Sequence, residues 1–313
     1  MTDITEACAF LRSNDNYLIL MHSSPDGDTI GSGYALCRTL RMLGKKAVCK
    51  CADTISSKYD YMRDGMEDQE FEPEHIIAVD VADPKLLGSF YETYKDKVEL
   101  CIDHHASNVK YAKSTLLRAD AAAACEVIYD VILLLDCKIS PIIADCLYTG
   151  ISTDTGCFKY SNASAHTHRV AAELIELGAN SSEINRIMFD TKSRGRLEVE
   201  KRALDSIEYS FNNKCALTVV TDEMQQLATP DELEGITSLT RQIEGVIVGV
   251  TLRQKGENHY KISVRTHPPV NASAICANLG GGGHIRAAGC EVKMPLDEAK
   301  RAIIGAIEKE GIE

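Results

Sequence analysis

The sequence predicts an α/β protein in two parts: a parallel-sheet domain, a linker helix and a smaller α/β domain. Three observations carry this. Apolar runs of strand length recur at 17–21, 46–50, 76–80 and 98–103, joined by connections long enough for helices. Three of the runs lead into carboxylates or imidazoles: His22 follows the first, IIAVD ends in Asp80, and VELCID ends in Asp103 before His104 and His105. Parallel sheets place their chemistry at that edge. Past a charge-rich segment at 195–209 a second set of strand-like runs begins. The boundaries expected from this pattern are 1–190 for the first domain, 191–210 for the linker helix and 211–313 for the second domain.

In chain order, residues 4–12 have the apolar spacing of a short amphipathic helix. After the strand at 17–21, a helix is expected over 29–43, started by Asp28 and Thr29 as caps and closed by Gly44. The strand KAVCK (46–50) precedes an irregular, acidic stretch over 53–74, and the strands at 76–80 and 98–103 follow. From Asp120 the period becomes helical, over 121–135, 140–152, 164–177 and 181–189. The segment ISTDTGCFKYSN (151–162) interrupts these helices and contributes Asp154. The second domain is expected to hold strands at 215–220, 244–254 and 259–265, a glycine loop at 280–289 and a terminal helix over 296–309.

Composition narrows the function. A formal net charge of -12 argues against a protein that coats long nucleic acid, although ions inside a site can reverse the local field for a short phosphorylated ligand. The twelve cysteines include no C-x-x-C pair, and several lie in apolar surroundings, where a reduced thiol packs as a small hydrophobe. The polar N-terminal stretch has no signal-like apolar core, and no run reaches the length of a membrane span. A cytoplasmic protein in a reducing compartment is expected, with no membrane partner.

The densest chemistry is in MHSSPDGDTIGSG (21–33), where His22, Asp26 and Asp28 are spaced H-x3-D-x-D. Pro25 and Gly27 bracket Asp26, so a strand runs here into a tight loop. With Asp80, His104 and Asp154 these make a mixed oxygen and nitrogen donor set without cysteine, which suits Mn, Mg or Fe better than structural zinc. Two ions ~3.5–4 Å apart need about this many ligands, one of them a bridging carboxylate. Asp80, at the end of a central strand, is the natural bridge. Any one of these residues alone reads as a cap or a satisfied polar group; their recurrence at strand ends is what points to a site.

The motifs and their order resemble the DHH (Asp-His-His) phosphoesterase superfamily. HSSPDGD, AVDVAD, IDHHASN and STDTGCFKYSN stand in the positions of its four motifs, and GGGGHIRAAG is similar to the signature of the DHH-associated C-terminal domain. The absence of additional domains points to the NrnA-like subgroup of nano-RNases and pAp phosphatases. The resemblance implies an active site in the cleft between the domains and two divalent ions, with Mn2+ favoured over Mg2+, Fe2+ or Co2+. One ion would be held by His22, Asp26 and Asp80, and the other by Asp28, Asp80, His104 and Asp154. Asp80, Asp103, His104 and His105 are the expected catalytic group, with Asp103 orienting the histidines and His105 beside the phosphate. Arg265, Gly281, Gly282, Gly283, His284 and Arg286 are expected to bind substrate, Arg286 at a position the motif does not fix. Leu279 stands where relatives often carry an aromatic, and Ser23-Ser24 also depart from the common pattern.

The implied reaction is hydrolysis of very short oligoribonucleotides to mononucleotides, and of pAp, by a homodimer that ignores long duplexes. Cyclic dinucleotides or linear products such as pApA are the alternative substrates in the same fold. A processive exonuclease is disfavoured by the acidic charge, and a polyphosphate hydrolase by the glycine segment. A non-catalytic nucleotide sensor is the reading from a different class; it predicts a degenerate site. His166 and His168 are expected to be cap or surface residues, Asp83 a cap before Pro84, and Asp53 and the acidic run 67–74 solvated surface.

Overall fold

The computed structural model describes residues 1–312 apart from 68, 230, 231 and 234, so one position of the acidic run 67–74 lies outside the described residues. The chain divides into two units, Met1–Thr191 and Lys192–Glu313.

The first unit opens with helix α1 (Ile4–Ser13), held by an Asp3–Glu6 capping box, and strand β1 (Tyr17–Leu20). Helix α2 (Gly27–Met42) and strand β2 (Ala47–Lys50) follow. Strands β3 (His75–Val79), β4 (Leu100–Asp103) and β5 (Ser114–Leu117) complete a five-stranded, all-parallel sheet of order β2-β1-β3-β4-β5. A one-turn helix α3 (Tyr91–Tyr94) lies between β3 and β4. Helices α4 (Ala124–Leu134), α5 (Pro141–Asp154), α6 (Ala165–Glu176) and α7 (Ser181–Asn185) come after the sheet.

Both faces of the sheet are covered, which is why its strands are continuously apolar. Tyr17 and Ile19 of β1 and Ile77 and Val79 of β3 pack with Ile30, Leu36 and Leu40 of α2 and Ile128 and Ile132 of α4. Leu18, Leu20, Ile76 and Ala78 face the other way, against Leu87 and Val98. The parallel register brings the ends of β1, β3 and β4 to one edge.

Four expectations change. Helix α2 begins two residues early, because the Asp26 carboxylate, not Asp28 or Thr29, accepts the amides of Asp28 and Thr29 at 3.0 and 3.1 Å. The segment 151–162 interrupts the helices later than expected: 151–154 form the last turn of α5, so Asp154 is a helix-terminal residue, and the break before α6 lies at 155–164. The irregular stretch contains a 3-10 helix, Ser57–Arg63, anchored by buried Tyr59 and Met62. Strand β5, Ser114–Leu117, was not foreseen, because its first two residues are Ser and Thr and only Leu116 and Leu117 remain as an apolar run.

In the second unit, helix α8 (Arg194–Asp205) occupies the expected linker segment. It packs on the sheet of this unit: Val199 and Ala203 join Val220, Met224 and Ile236. Strands β6 (Glu208–Ser210) and β7 (Cys215–Val220) precede a one-turn helix α9 (Asp222–Gln225), and β8 (Val248–Gly256) and β9 (His259–Thr266) follow. Helix α10 (Ala272–Ala277), strands β10 (Gly282–His284) and β11 (Ala287–Lys293), and helix α11 (Leu296–Glu308) complete a six-stranded mixed sheet of order β10-β11-β9-β8-β7-β6. Thus 280–289 is not a loop: Gly282–His284 pairs antiparallel with β11. Ile262 and Val264 of β9 pack on Ile275 of α10 and Ile303 of α11, which buries one face of β9 and β11.

Candidate active site

The residues singled out in the first unit converge at the edge where β1, β3 and β4 end. His22 follows β1, Asp26 caps α2 and Asp28 sits in its first turn. Asp80 immediately follows β3, Asp103 is the last residue of β4, and His104 and His105 follow it. Asp154 arrives from the last turn of α5. Asp80 takes a left-handed backbone conformation, φ 58, which ends the strand sharply. An aspartate tolerates that better than most side chains.

The donor atoms form overlapping groups around Asp80. His22 Nε2 lies 3.7 Å from Asp26 Oδ1 and 3.5 Å from Asp80 Oδ2. His104 Nε2 lies 3.7 Å from Asp28 Oδ2, 3.6 Å from Asp80 Oδ1 and 3.4 Å from Asp154 Oδ2. The two oxygens of Asp80 therefore face different histidines, the arrangement a bridging carboxylate requires. In both histidines Nδ1 is committed elsewhere, to Ser23 O at 2.7 Å and to Ala121 O at 3.3 Å. Each Nε2 is thereby turned toward the carboxylates as the ligand atom.

Two observations fit this cluster to divalent ions. Asp80 Oδ1 and His104 Nε2 are fully buried and have no hydrogen-bond partner among the described residues. Buried polar atoms left this way are costly unless something binds them. Three triads, His22–Asp26–Asp80, Asp28–His104–Asp154 and Asp80–His104–His105, each bring their donor atoms within 4.8 Å of one another.

Electrostatics agree. Burial and the neighbouring Asp26 charge raise Asp28 to about 6, against the amides of Cys125 and Ala124. Burial and Asp28 raise Asp154 to about 7, opposed by His104. Burial and the charge of Asp28 push Asp80 well above the usual carboxylate range. Burial lowers the His22 imidazolium, but its hydrogen bonds to Asp26 and Asp80 prevail and carry it up to about 11.

Asp103 does different work. Its Oδ1 accepts from the amides of His104 and His105 and from His105 Nδ1 at 2.9 Å, while Oδ2 accepts from Asn108 Nδ2 at 2.5 Å. These bonds outweigh burial and keep Asp103 below the usual range. The Asp103 hydrogen bond in turn raises His105 to about 9, against burial. His105 thus presents Nε2, on a half-exposed ring, as the donor of a cation.

Three supports escaped the sequence reading. Asn108 lies inside the IDHHASN segment but carries no charge to mark it. Asp53, read as solvated surface, accepts the amide of Ser24 at 2.8 Å and so pins the loop between His22 and Asp26. Only the adjacency of β2 to β1 reveals that reach. The third is the start of α4, whose Ala124 and Cys125 amides donate to the two oxygens of Asp28 at 2.6 and 2.9 Å. Other residues behave as expected: Asp83 caps the turn at Pro84, His166 faces Glu126 at 3.7 Å, and His168 packs on Phe158.

In the second unit, Arg265 lies on β9 and His284 on β10. Gly281 approaches β11 so closely that a Cβ there would stand 2.3 Å from Gly289 O. Gly282 and Gly283 continue into β10. Arg286 is turned to the main chain, its Nη1 donating to Val270 O at 2.6 Å, which braces the hairpin.

A parallel sheet with paired carboxylate–histidine groups sharing one aspartate defines a metal-dependent phosphoesterase. The first unit matches the DHH family, N-terminal domain, over residues 16–151, and the second matches the DHHA1 domain over 212–310. The chain belongs to the DHH family of phosphoesterases. It is 31% identical over 303 residues to the bifunctional oligoribonuclease and PAP phosphatase NrnA of Thermus thermophilus, covering 93% of this chain and 89% of that protein. The NrnA of Bacillus subtilis is 24% identical over 306 residues, 96% of each chain. Among solved structures, an exopolyphosphatase-related protein from Bacteroides fragilis superposes with a TM-score of 0.86 at 25% identity, covering 98% of this chain and 95% of that one. Exonuclease RecJ bound to manganese shares the fold at a TM-score of 0.57 and 14% identity, over 99% and 94% of the two chains.

Proposed function

We propose that the protein is a two-metal phosphodiesterase and phosphatase that degrades very short oligoribonucleotides to mononucleotides and removes a phosphate from pAp. The observation that carries this reading is the pair of donor groups sharing Asp80, with Asp80 Oδ1 and His104 Nε2 buried and unpartnered. The named activities of the Thermus and Bacillus relatives support the choice of substrate.

In this reading His22, Asp26 and Asp80 hold one ion, and Asp28, Asp80, His104 and Asp154 hold the other. When bound, two such ions supply a nucleophile at neutral pH and offset charge on the phosphoryl oxygens. Asp80, with Oδ2 toward His22 and Oδ1 toward His104, would be the ligand the two sites share. Ser23 O and Ala121 O fix the tautomers of His22 and His104. Asp103, itself held by Asn108, keeps His105 protonated, and Nε2 donates a hydrogen bond to a phosphoryl oxygen of the substrate. Arg265, Gly281, Gly282, Gly283 and His284 bind the rest of the substrate through side-chain and main-chain donors.

The mixed carboxylate and imidazole donors favour Mn2+, with Mg2+, Fe2+ and Co2+ as substitutes. A cytoplasmic location is supported by the twelve free cysteines. No helix among the described residues is long and apolar enough to cross a membrane. A homodimer completes the reading, with Leu133 and Leu134 of α4 and Ile175 of α6 as exposed apolar side chains available to an interface.

The test is product analysis of the purified protein with Mn2+ on pAp, pApA, two- to five-nucleotide RNAs, a cyclic dinucleotide and a short polyphosphate. Conversion of the RNAs and pApA to mononucleotides, with release of phosphate from pAp, is the expected result. Cleavage confined to pApA or the cyclic dinucleotide would move the protein to second-messenger turnover. Cleavage of polyphosphate alone would overturn the nuclease reading. Binding without turnover would make it a sensor.

A further inference from the structure

One row of residues crosses four strands of the second unit. His284 of β10 stands opposite Ala287 of β11, Ala287 opposite Arg265 of β9, and Arg265 opposite Gly249 of β8. Directly opposed residues of antiparallel strands share a face, so all four lie on one side of the sheet. It is the side away from the core, since the neighbours Val264 and Thr266 are the buried ones.

The two positions between and beside the cations carry almost no side chain, and at Gly249 this has a visible purpose. A Cβ there would lie 2.5 Å from Thr240 Oγ1 and 2.9 Å from the Arg241 amide. The missing side chain lets the 3-10 turn Thr240–Gln242 settle on the sheet, with the Arg241 main chain over Gly249, the residue opposite Arg265, and near enough for its charge to act on Arg265. The row therefore continues as His284, Arg265, Arg241.

Both guanidinium groups are half-buried, and among the described residues neither has a carboxylate within 4.0 Å. Among the described residues Arg265 makes one side-chain hydrogen bond, from Nη1 to Val264 O at 3.2 Å. Burial, and then the nearby Arg241 charge, hold Arg265 below its ordinary value. Two like charges kept together with no carboxylate partner among the described residues spend folding energy on repulsion, which a dianion placed between them would relieve.

We propose that Arg241 is a phosphate-binding residue that acts with Arg265, so that the second unit takes up a terminal phosphate monoester of the substrate, separate from the phosphate being cleaved. The substrate class is then narrower than short oligonucleotides in general: nucleotides and dinucleotides that carry a terminal phosphate. This inference rests on the hydrolase reading above for its substrate, though not for its anion site. The segment RQIEG (241–245) carries no motif, and only the close approach over Gly249 brings Arg241 to the row.

The experiment compares the full-length protein with Arg241→Gln and Arg241→Lys in two measurements. In the first, Mn2+-dependent hydrolysis of pApA is compared with that of ApA, which lacks the terminal phosphate. The preference for pApA should fall about tenfold in Arg241→Gln, through KM rather than kcat, and recover in part in Arg241→Lys. In the second, 5′-AMP and adenosine are titrated into each protein in EDTA, so that no metal takes part. Arg241→Gln should weaken 5′-AMP about tenfold and leave adenosine unchanged. An unchanged pApA preference with unchanged 5′-AMP affinity overturns the proposal. Weakened 5′-AMP binding in a protein that hydrolyses neither dinucleotide would uphold the anion site and overturn the hydrolase reading instead.

Discussion

Asp80 is the residue on which the metal centre turns. It combines a left-handed backbone, near-complete burial and an oxygen without a hydrogen-bond partner among the described residues. Replacing it with asparagine keeps the shape and suits the same backbone conformation, but removes one anion from a crowded cluster. Asp80→Asn should lose at least ~10²-fold in kcat, since each metal contributes several kcal/mol of charge stabilisation. Its melting temperature in EDTA should equal or exceed that of the wild type; retained activity would remove the bridging assignment. Asn108 offers a subtler test. It touches Asp103, which orients His105, so Asn108→Ala should cost ~10–100-fold in kcat, the usual range for groups behind a catalytic side chain. Its signature is a fall in kcat with Mn2+ affinity little changed, because Asn108 touches Asp103 and none of the proposed metal ligands; an unchanged kcat would reduce Asn108 to a packing role. The charged residues of this site were legible in the sequence because His and Asp recur after apolar runs. Asn108 and Asp53 were not, since a neutral amide and a surface carboxylate look like ordinary turn residues until the sheet order is known.

At the scale of elements, Asp28 owes its place to the packing of α2, α4 and α5. Gly150 of α5 is the pinch point: a Cβ there would lie 2.2 Å from Cys125 Sγ and 2.7 Å from Asp28 Oδ1. Gly150→Ala should destabilise the protein by about 1–3 kcal/mol through overpacking, measured by denaturant melts, and weaken Mn2+ binding. Adding Cys125→Ala removes the closest clash, with the sulfur, and leaves the one with Asp28 Oδ1 at 2.7 Å and a milder one with the Cβ of residue 125 at 2.9 Å. The double variant should therefore recover most of the stability and little of the metal affinity; equal recovery of both would show that Asp28 yields freely. The same scale explains where elements were misjudged. Helix α2 starts at the residue whose carboxylate reaches its amides, and Asp26 outcompetes Asp28 because the bend at Pro25 leaves it outside the helix. The glycine run was read as a loop because glycine weakens strand patterns, yet pairing with β11 overrides that local preference.

Across the whole molecule, the raised carboxylates tie stability to pH. Asp28 and Asp154 titrate near 6 and 7 when folded, against 3.8 for the ordinary carboxylate, so the folded metal-free protein binds more protons between those values. The contribution of these two carboxylates to stability is therefore full below about 4 and is lost as pH rises toward 7, and that of His22, raised from 6.5 to about 11, is lost at higher pH still. Metal binding must displace these protons, so apparent affinity should climb on the order of tenfold per pH unit for each proton released. The drop in melting temperature caused by EDTA should thus be larger at pH 8 than at pH 5. An equal drop at both would mean that the ions bind elsewhere. The two-part α/β architecture was readable because buried parallel strands are long enough in apolar residues to stand out. The membership of α8 in the second unit was not, since its few buried residues, Val199 and Ala203, say nothing by themselves about which sheet they meet.

The grip of α4 on Asp28 has an implication for how such proteins are compared. Both contacts come from backbone amides, at Ala124 and Cys125, and neither depends on what those residues are. Substitutions at the two positions can drift while the interaction persists, provided the helix still begins there. A column of an alignment could therefore look unconstrained and yet record a contact on which the metal centre depends. The constraint would surface as the fixed length of the segment between Asp103 and Ala124, where an inserted or deleted residue would shift both amides away from the carboxylate at once.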